Sequence, residues 1–265
     1  MSISAKVQQA ALTLLDQYHH KQNYTLEDRL MPTGLDEAYL IQREFQSHVS
    51  EEQGAIAGYK LAYTTTSLQE SVGVSDPVLG IMLEDNIRHS PSRLKASDFL
   101  QLALECEVGV RLGSDLSPGG APYDRGAVSE AVESLMPAFE VVDIRRTQGV
   151  HPMIGFITGV SANIFNAGVV LGTPVTNWRE LDLASAYGSM TINEKIVGDG
   201  HGADVMGHPL EPLAWLANKL AEQGFGLSAG MVVITGSIVT PKVVKPGDTA
   251  SISIEGLGSA KLEVV

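Results

Sequence analysis

A change of texture at Gly54 constrains the fold of this chain more than any other feature of its sequence. Before it, apolar residues recur at helical spacing. Val7, Ala10, Ala11, Leu14 and Leu15 make one stripe within residues 4–20, and Leu35, Ala38, Tyr39, Ile41 and Phe45 make another after Thr33. Thr33 with Asp36 three residues on reads as a capping box that opens the second helix, and Gly54 reads as its stop. Beyond Gly54 the chain turns to short, glycine-punctuated runs of strand character, at residues 56–63, 99–111, 138–144, 190–197, 231–235, 249–254 and 260–265. Helical patterns interrupt them at residues 127–135 and 209–223, the latter closed by Gly224 as a left-handed cap. Strands and helices do not alternate, which argues against a doubly wound parallel sheet. The expectation is an α+β fold with a mixed β core and a helical N-terminal segment.

Composition narrows the function. The chain has 265 residues, with 18 Lys and Arg against 31 Asp and Glu, a formal net charge of −13. That sign disfavours nucleic acid as a partner, because phosphate binding needs a basic footprint, and it disfavours an anionic membrane surface. No apolar run approaches the roughly 18 residues of a membrane span, and the first residues lack the apolar core of a secretory signal. Cys106 is the only cysteine, so neither an intramolecular disulfide nor a multi-cysteine zinc site is available. These features give the expectation of a soluble, acidic, cytoplasmic protein.

The sharpest local feature is Leu102-Ala103-Leu104-Glu105-Cys106-Glu107-Val108-Gly109-Val110. In a strand, Leu102, Leu104, Cys106, Val108 and Val110 share one face while Glu105 and Glu107 share the other, their roots about 6.6 Å apart. Neighbouring carboxylates raise one another's pKa unless a cation lies between them, and a hard divalent cation would suit them. The competing reading is a solvated strand face. Glu140 lies within the apolar run Met136–Asp143, where a carboxylate needs a partner: a metal, or Arg145 or Arg146. Cys106 reads as a small core residue pointing away from the glutamates.

Lys60 is a cation within a strand-like run, fit either to neutralise an anionic substrate and carry a proton or to snorkel from a sheet edge. His151, His201 and His208 are isolated from one another and lack zinc-site spacing. Residues 114–126 read as a surface loop. The glycine-bearing residues 198–207 match neither phosphate-binding fingerprint and read as a mobile loop. No G-x-S-x-G elbow supports a serine hydrolase.

Taken in order, these blocks resemble the fumarylacetoacetate hydrolase superfamily, in its 2-oxopent-4-enoate hydratase and 4-oxalocrotonate decarboxylase branch. The resemblance runs nearly end to end. It rests on Leu35 to Gln42, Gly58-Tyr59-Lys60, Gly73 to Pro77, Glu105 with Glu107, Pro137 to Asp143, Gly207 to Leu210 with Leu213 to Ala217, Lys245 to Thr249, and Gly256 to Ser259. It implies a β-roll or barrel-like core of the C-terminal type, with a helical N-terminal segment over residues 1–75 and a metal-binding catalytic β domain over residues 76–265. It further implies Mg2+ or Mn2+ on Glu105, Glu107 and Glu140, Lys60 as the active-site lysine, and substrate contacts from Lys60, Ser161, Asn163, Ser237 and Thr240. The activity implied is hydration of a short unsaturated 2-oxo acid (2-hydroxypentadienoate or 2-oxoheptenedioate type) in aromatic-compound catabolism. Decarboxylation of a 4-oxalocrotonate-type acid is the near alternative, with acylpyruvate C–C hydrolysis or a non-catalytic oxo-acid-binding partner behind it. The resemblance also implies a homo-oligomer, or a complex with a hydratase or decarboxylase relative. Val78 stands where hydratases of the branch carry an acid, which favours decarboxylation, whereas Asn166 to Gly172 and Gly236-Ser237 with Thr240-Pro241 look like the dicarboxylic hydratases.

Overall fold

Ser4 opens the first helix, α1 (Ala5–His19), its hydroxyl accepting the amide of Val7. The computed structural model describes residues 4–265. Val7, Ala10, Ala11 and Leu14 are buried along the expected stripe, with Leu15 at its margin. They pack on α2 (Leu35–Gln53), which ends at Gly54 with φ of +82°. The expected Thr33–Asp36 capping box does not form. The cap residue is Gly34, so the third helical position falls on Glu37, whose carboxylate accepts the amide and hydroxyl of Thr33 at 2.7 and 2.9 Å.

The chain continues through β1 (Ile56–Ala62), α3 (Thr66–Val72), β2 (Val78–Leu83), β3 (Ile87–His89), β4 (Ser92–Leu94), β5 (Leu102–Leu112), α4 (Arg125–Ala131) and β6 (Val132–Asp143). It ends through α5 (Pro152–Ser161), β7 (Asn166–Leu171), β8 (Tyr187–Ile192), β9 (Lys195–His201), α6 (Glu211–Glu222), β10 (Val232–Val243), β11 (Thr249–Ile254) and β12 (Gly258–Val264). Two sheets result. One has the order β2-β1-β10-β5-β6-β7-β3, the other β4-β12-β11-β8-β9. Parallel and antiparallel pairings mix in both, as the irregular order of strands and helices implied. β1, although within residues 1–75, is a member of the larger sheet, hydrogen-bonded between β2 and β10.

Three sequence expectations change. The helix expected over residues 127–135 stops at Ala131, because Val132 to Leu135 are drawn into the ladder with β5. The run expected at residues 190–197 is a hairpin, its turn made by Asn193 and Glu194 at φ of +50° and +65°. Residues 198–201 are not a mobile loop but part of β9, and the glycines answer to packing. A Cβ on Gly200 would lie 2.7 Å from the carbonyl oxygen of Ile238 on the strand crossing over it.

Alternation along the strands of the larger sheet separates two faces. One carries Met82, Met136, Ala138, Val169, Leu171, Val232 and Ile234, a small apolar cluster of its own. Toward one end of that same face the pattern switches to Lys60 on β1, Glu105 and Glu107 on β5, and Glu140 on β6. The opposite face, with Cys106, Phe139, Val141 and Val170, joins the main core.

Candidate metal centre

β5 and β6 pair in register with Glu105 opposite Glu140, and β10 sets Ser237 opposite Glu107. Residues facing each other across a ladder share a face, so two strands place three carboxylates side by side. One oxygen from each of Glu105, Glu107 and Glu140 lies within 4.8 Å of the others. Glu107 and Glu140 are fully buried and Glu105 half-buried, which removes the solvated strand face as an account of the alternation.

Lys60 is 3% exposed in the interior of the sheet, so it does not snorkel from an edge. Its Nζ lies 3.1 Å from Glu140 Oε1, and the side-chain amide of Asn166 donates to that same oxygen at 3.0 Å. Arg145 is not the partner of Glu140; it pairs with Asp143 at 2.6 Å. The amide of Gly236 donates to Glu107 Oε2 at 2.7 Å, while Glu107 Oε1 is buried with no hydrogen-bond partner. Gly236 holds φ of +120°, and a Cβ there would collide with the Thr64 hydroxyl, so only glycine brings this amide to the carboxylate.

The electrostatics follow from this crowding. Burial, then the charge of Glu140, pushes Glu105 up to about 7, against the opposing pull of Lys60 and of the neighbouring Ser237 hydroxyl. Burial and the charges of Glu140 and Glu105 hold Glu107 well above the usual carboxylate range. Burial raises the Cys106 thiol to about 12, the behaviour of an inert core residue. Three carboxyl groups crowd one lysine in a largely buried place, two of them held above the ordinary carboxylate range, and Glu107 keeps an orphan oxygen. Glu105, Glu107 and Glu140 therefore fit a hard divalent cation with oxygen ligands.

Ser237 contacts Glu105 and donates to the Val239 carbonyl. Asn163 is buried and clasps the backbone of Ile81, accepting its amide at 2.7 Å and donating to its carbonyl at 2.9 Å. Ser161 is buried, donating to Ile157 O, and Thr240 is exposed and accepts from Lys242. His151 and His208 accept local amides from Met153 and Leu210, and His201 packs edge-on against Tyr187. Asn166 is the residue that sequence reasoning missed. It follows three consecutive left-handed residues, Asn163, Ile164 and Phe165 at φ of +61°, +50° and +59°. Asparagine tolerates that region; Ile164 and Phe165 give no local sign of it.

A curled mixed sheet carrying a buried three-glutamate cluster and a lysine on its inner face defines a metal-site enzyme scaffold. The chain belongs to the fumarylacetoacetate hydrolase family: the family's C-terminal domain model matches residues 39–265. It is 32% identical over 238 residues to the 2-oxo-hept-4-ene-1,7-dioate hydratase of Escherichia coli, covering 87% of each chain. It is 30% identical over 234 residues to 2-keto-4-pentenoate hydratase 1 of Dechloromonas aromatica, covering 88% of this chain and 87% of that one. Among solved structures it matches 4-oxalocrotonate decarboxylase from Pseudomonas putida G7, complexed with magnesium and adipate, with a TM-score of 0.89. That match has 26% identity and covers 100% of this chain and 99% of the other. These relatives are lyases, and no described helix here is long and apolar enough to cross a membrane.

Proposed function

We propose that this protein is a divalent-metal-dependent lyase that hydrates a short unsaturated 2-oxo acid, with Mg2+ or Mn2+ held by Glu105, Glu107 and Glu140. The observation that carries the reading is the convergence of three carboxylate oxygens within 4.8 Å beside Lys60. When bound, the cation supplies positive charge to the carboxylate and 2-oxo oxygens of the substrate and stabilises the negative charge that develops on the latter.

The chain's own residues do the rest. Lys60 Nζ, held against Glu140 Oε1, is placed to balance the substrate's charge and to carry the proton exchanged with its carbon skeleton. Asn166 holds Glu140 in orientation through the same oxygen, and the Gly236 amide does so for Glu107. Ser237, in contact with half-buried Glu105, is the polar group we assign to substrate on that side. Ser161, Asn163 and Thr240 complete the proposed substrate contacts; Ser161 and Asn163 also hydrogen-bond to Ile157 and Ile81, and Thr240 is exposed. The lone buried thiol and the acidic composition support a cytoplasmic setting, and the family resemblance supports a homo-oligomer.

Decarboxylation of a 4-oxalocrotonate-type acid is the second reading. Val78, fully buried at the start of β2, supports it by offering no acid where hydratases of the branch have one. The two reactions need the same stabilised negative charge but differ in what leaves and what adds. A 2-hydroxymuconate-type acid supplied with Mg2+ separates them. Hydrated product without CO2 is expected, and release of CO2 without addition of water would falsify the hydratase assignment.

A further inference from the structure

The chain carries 18 lysines and arginines, and five of them, Lys21, Arg88, Arg93, Lys95 and Arg145, line one cavity of about 450 Å³. Only Asp98 and Asp143 supply acidic side chains to that wall. In a chain of net charge −13 this is a concentration of positive charge against the trend of the molecule. Arg145 is neutralised by Asp143, and Arg93 by Glu263. Among the described residues no carboxylate forms a salt bridge with Lys21, Arg88 or Lys95. Arg88 is half-buried and reaches only the Asn86 carbonyl, at 3.5 Å, and its guanidinium lies where a Cβ on Gly168 would meet it at 3.0 Å. A guanidinium held out of bulk water with most of its donors free is a ready anion ligand. Tyr24, Phe45 and Phe99 also line it.

This cavity is not the glutamate site. Arg88 alternates with Ile87, which packs in the inner-face cluster, and Asp143 lies three residues from Glu140, so both point to the opposite face of the larger sheet. The two places nevertheless share a wall. Asn163, which opens the left-handed turn, and Asn166, which follows it, line the cavity, and Asn166 donates to Glu140. An anion drawing on Arg88 would bear on β7, to which β3 is paired in parallel, and so on the turn that aims Asn166.

We propose that this cavity is a regulatory site for a compact polyanion bearing carboxylate or phosphate groups, and that its occupancy alters the cation affinity of the glutamate cluster through Asn166. The inference rests on the metal-site reading only for its second half. Its test is calorimetric titration of the full-length protein, metal-free and then Mg2+-loaded, with benzene-1,3,5-tricarboxylate and, separately, inorganic pyrophosphate. Saturable binding of one probe is expected, and whichever binds more tightly identifies the headgroup preferred. The double variant Arg88→Ala/Lys95→Ala should weaken it at least about tenfold, whereas Glu107→Ala should leave it unchanged. Bound anion should shift the Mg2+ dissociation constant by about fivefold or more, with the reciprocal shift in anion affinity, and Asn166→Ala should erase the coupling. Absence of saturable binding, equal affinity in the double variant, loss of binding in Glu107→Ala, or an unchanged Mg2+ affinity would each overturn the proposal. So would a probe that only changes the oligomeric state, since the cavity would then face another copy of the chain. If Mg2+ fails to bind at all while the anion binds normally, the metal-site reading fails and the anion site stands alone.

Discussion

Glu140 Oε1 receives both Lys60 and Asn166, whereas Glu107 Oε1 receives nothing, and the two glutamates should respond differently to mutation. Mg2+ or Mn2+ should raise the melting temperature of the wild type, and Glu107→Ala should abolish that rise. Lys60→Ala should lower turnover while leaving cation binding, followed by calorimetry, largely intact; full activity in that variant would remove Lys60 from the chemistry. Glu105 makes a pH prediction. Its folded pKa of about 7 stands above its ordinary value of 4.5, so in the metal-free protein its contribution to stability is fully present below pH 4.5 and is lost as pH rises through 7. Metal-free Glu105→Gln should therefore match wild type near pH 4.5 and be the more stable of the two at pH 8, as read by denaturant unfolding. An equal pH profile for both proteins would count against a desolvated Glu105. Much of this was legible at the residue scale. Period-two alternation exposes Glu105 and Glu107, and the apolar run around Glu140 exposes it as a carboxylate needing a partner. Asn166 was not legible, because its reach depends on Ile164 and Phe165 adopting a backbone region their side chains disfavour.

At the scale of elements, β10 joins the site's parts, and Gly236 is where it does so. Gly236→Ala places a methyl group against Thr64 and strains a backbone at φ of +120°. We expect a loss of about 3 kcal/mol of stability together with weaker cation binding, since the amide that orients Glu107 must move. A variant that loses stability but binds Mg2+ as wild type would confine Gly236 to packing. The helices show what pattern reading captures and what it misses. α1 and the body of α2 follow directly from apolar periodicity, because one face of each is buried and the other wet. α5 escapes, because four of its ten residues are Gly, Ser or Thr and its flanks are loop-like. β6 takes the last four residues of the helix expected there, because cross-strand pairing with β5 outweighs a helical propensity that α4 uses for only seven residues.

For the whole molecule, sequence texture anticipated an α+β architecture but not the order of its sheets, since no local signal states which strand lies beside which. The pairing of β1 with β10 joins Tyr59 to Val233, residues far apart in the chain. β10 sits between β1 and β5, and so between Lys60 and the glutamates of β5. During synthesis, the strands that bear the lysine and the acids are complete long before the strand that separates and aligns them exists. Loop closure over such distances is slow, and pairing of this kind forms late. The alignment of Lys60 with the acids thus waits on β10, whereas β5 and β6 bring the three glutamates together without it. A chain halted before Val232 would hold every proposed metal ligand and yet have no neighbour to bring Lys60 into line with them.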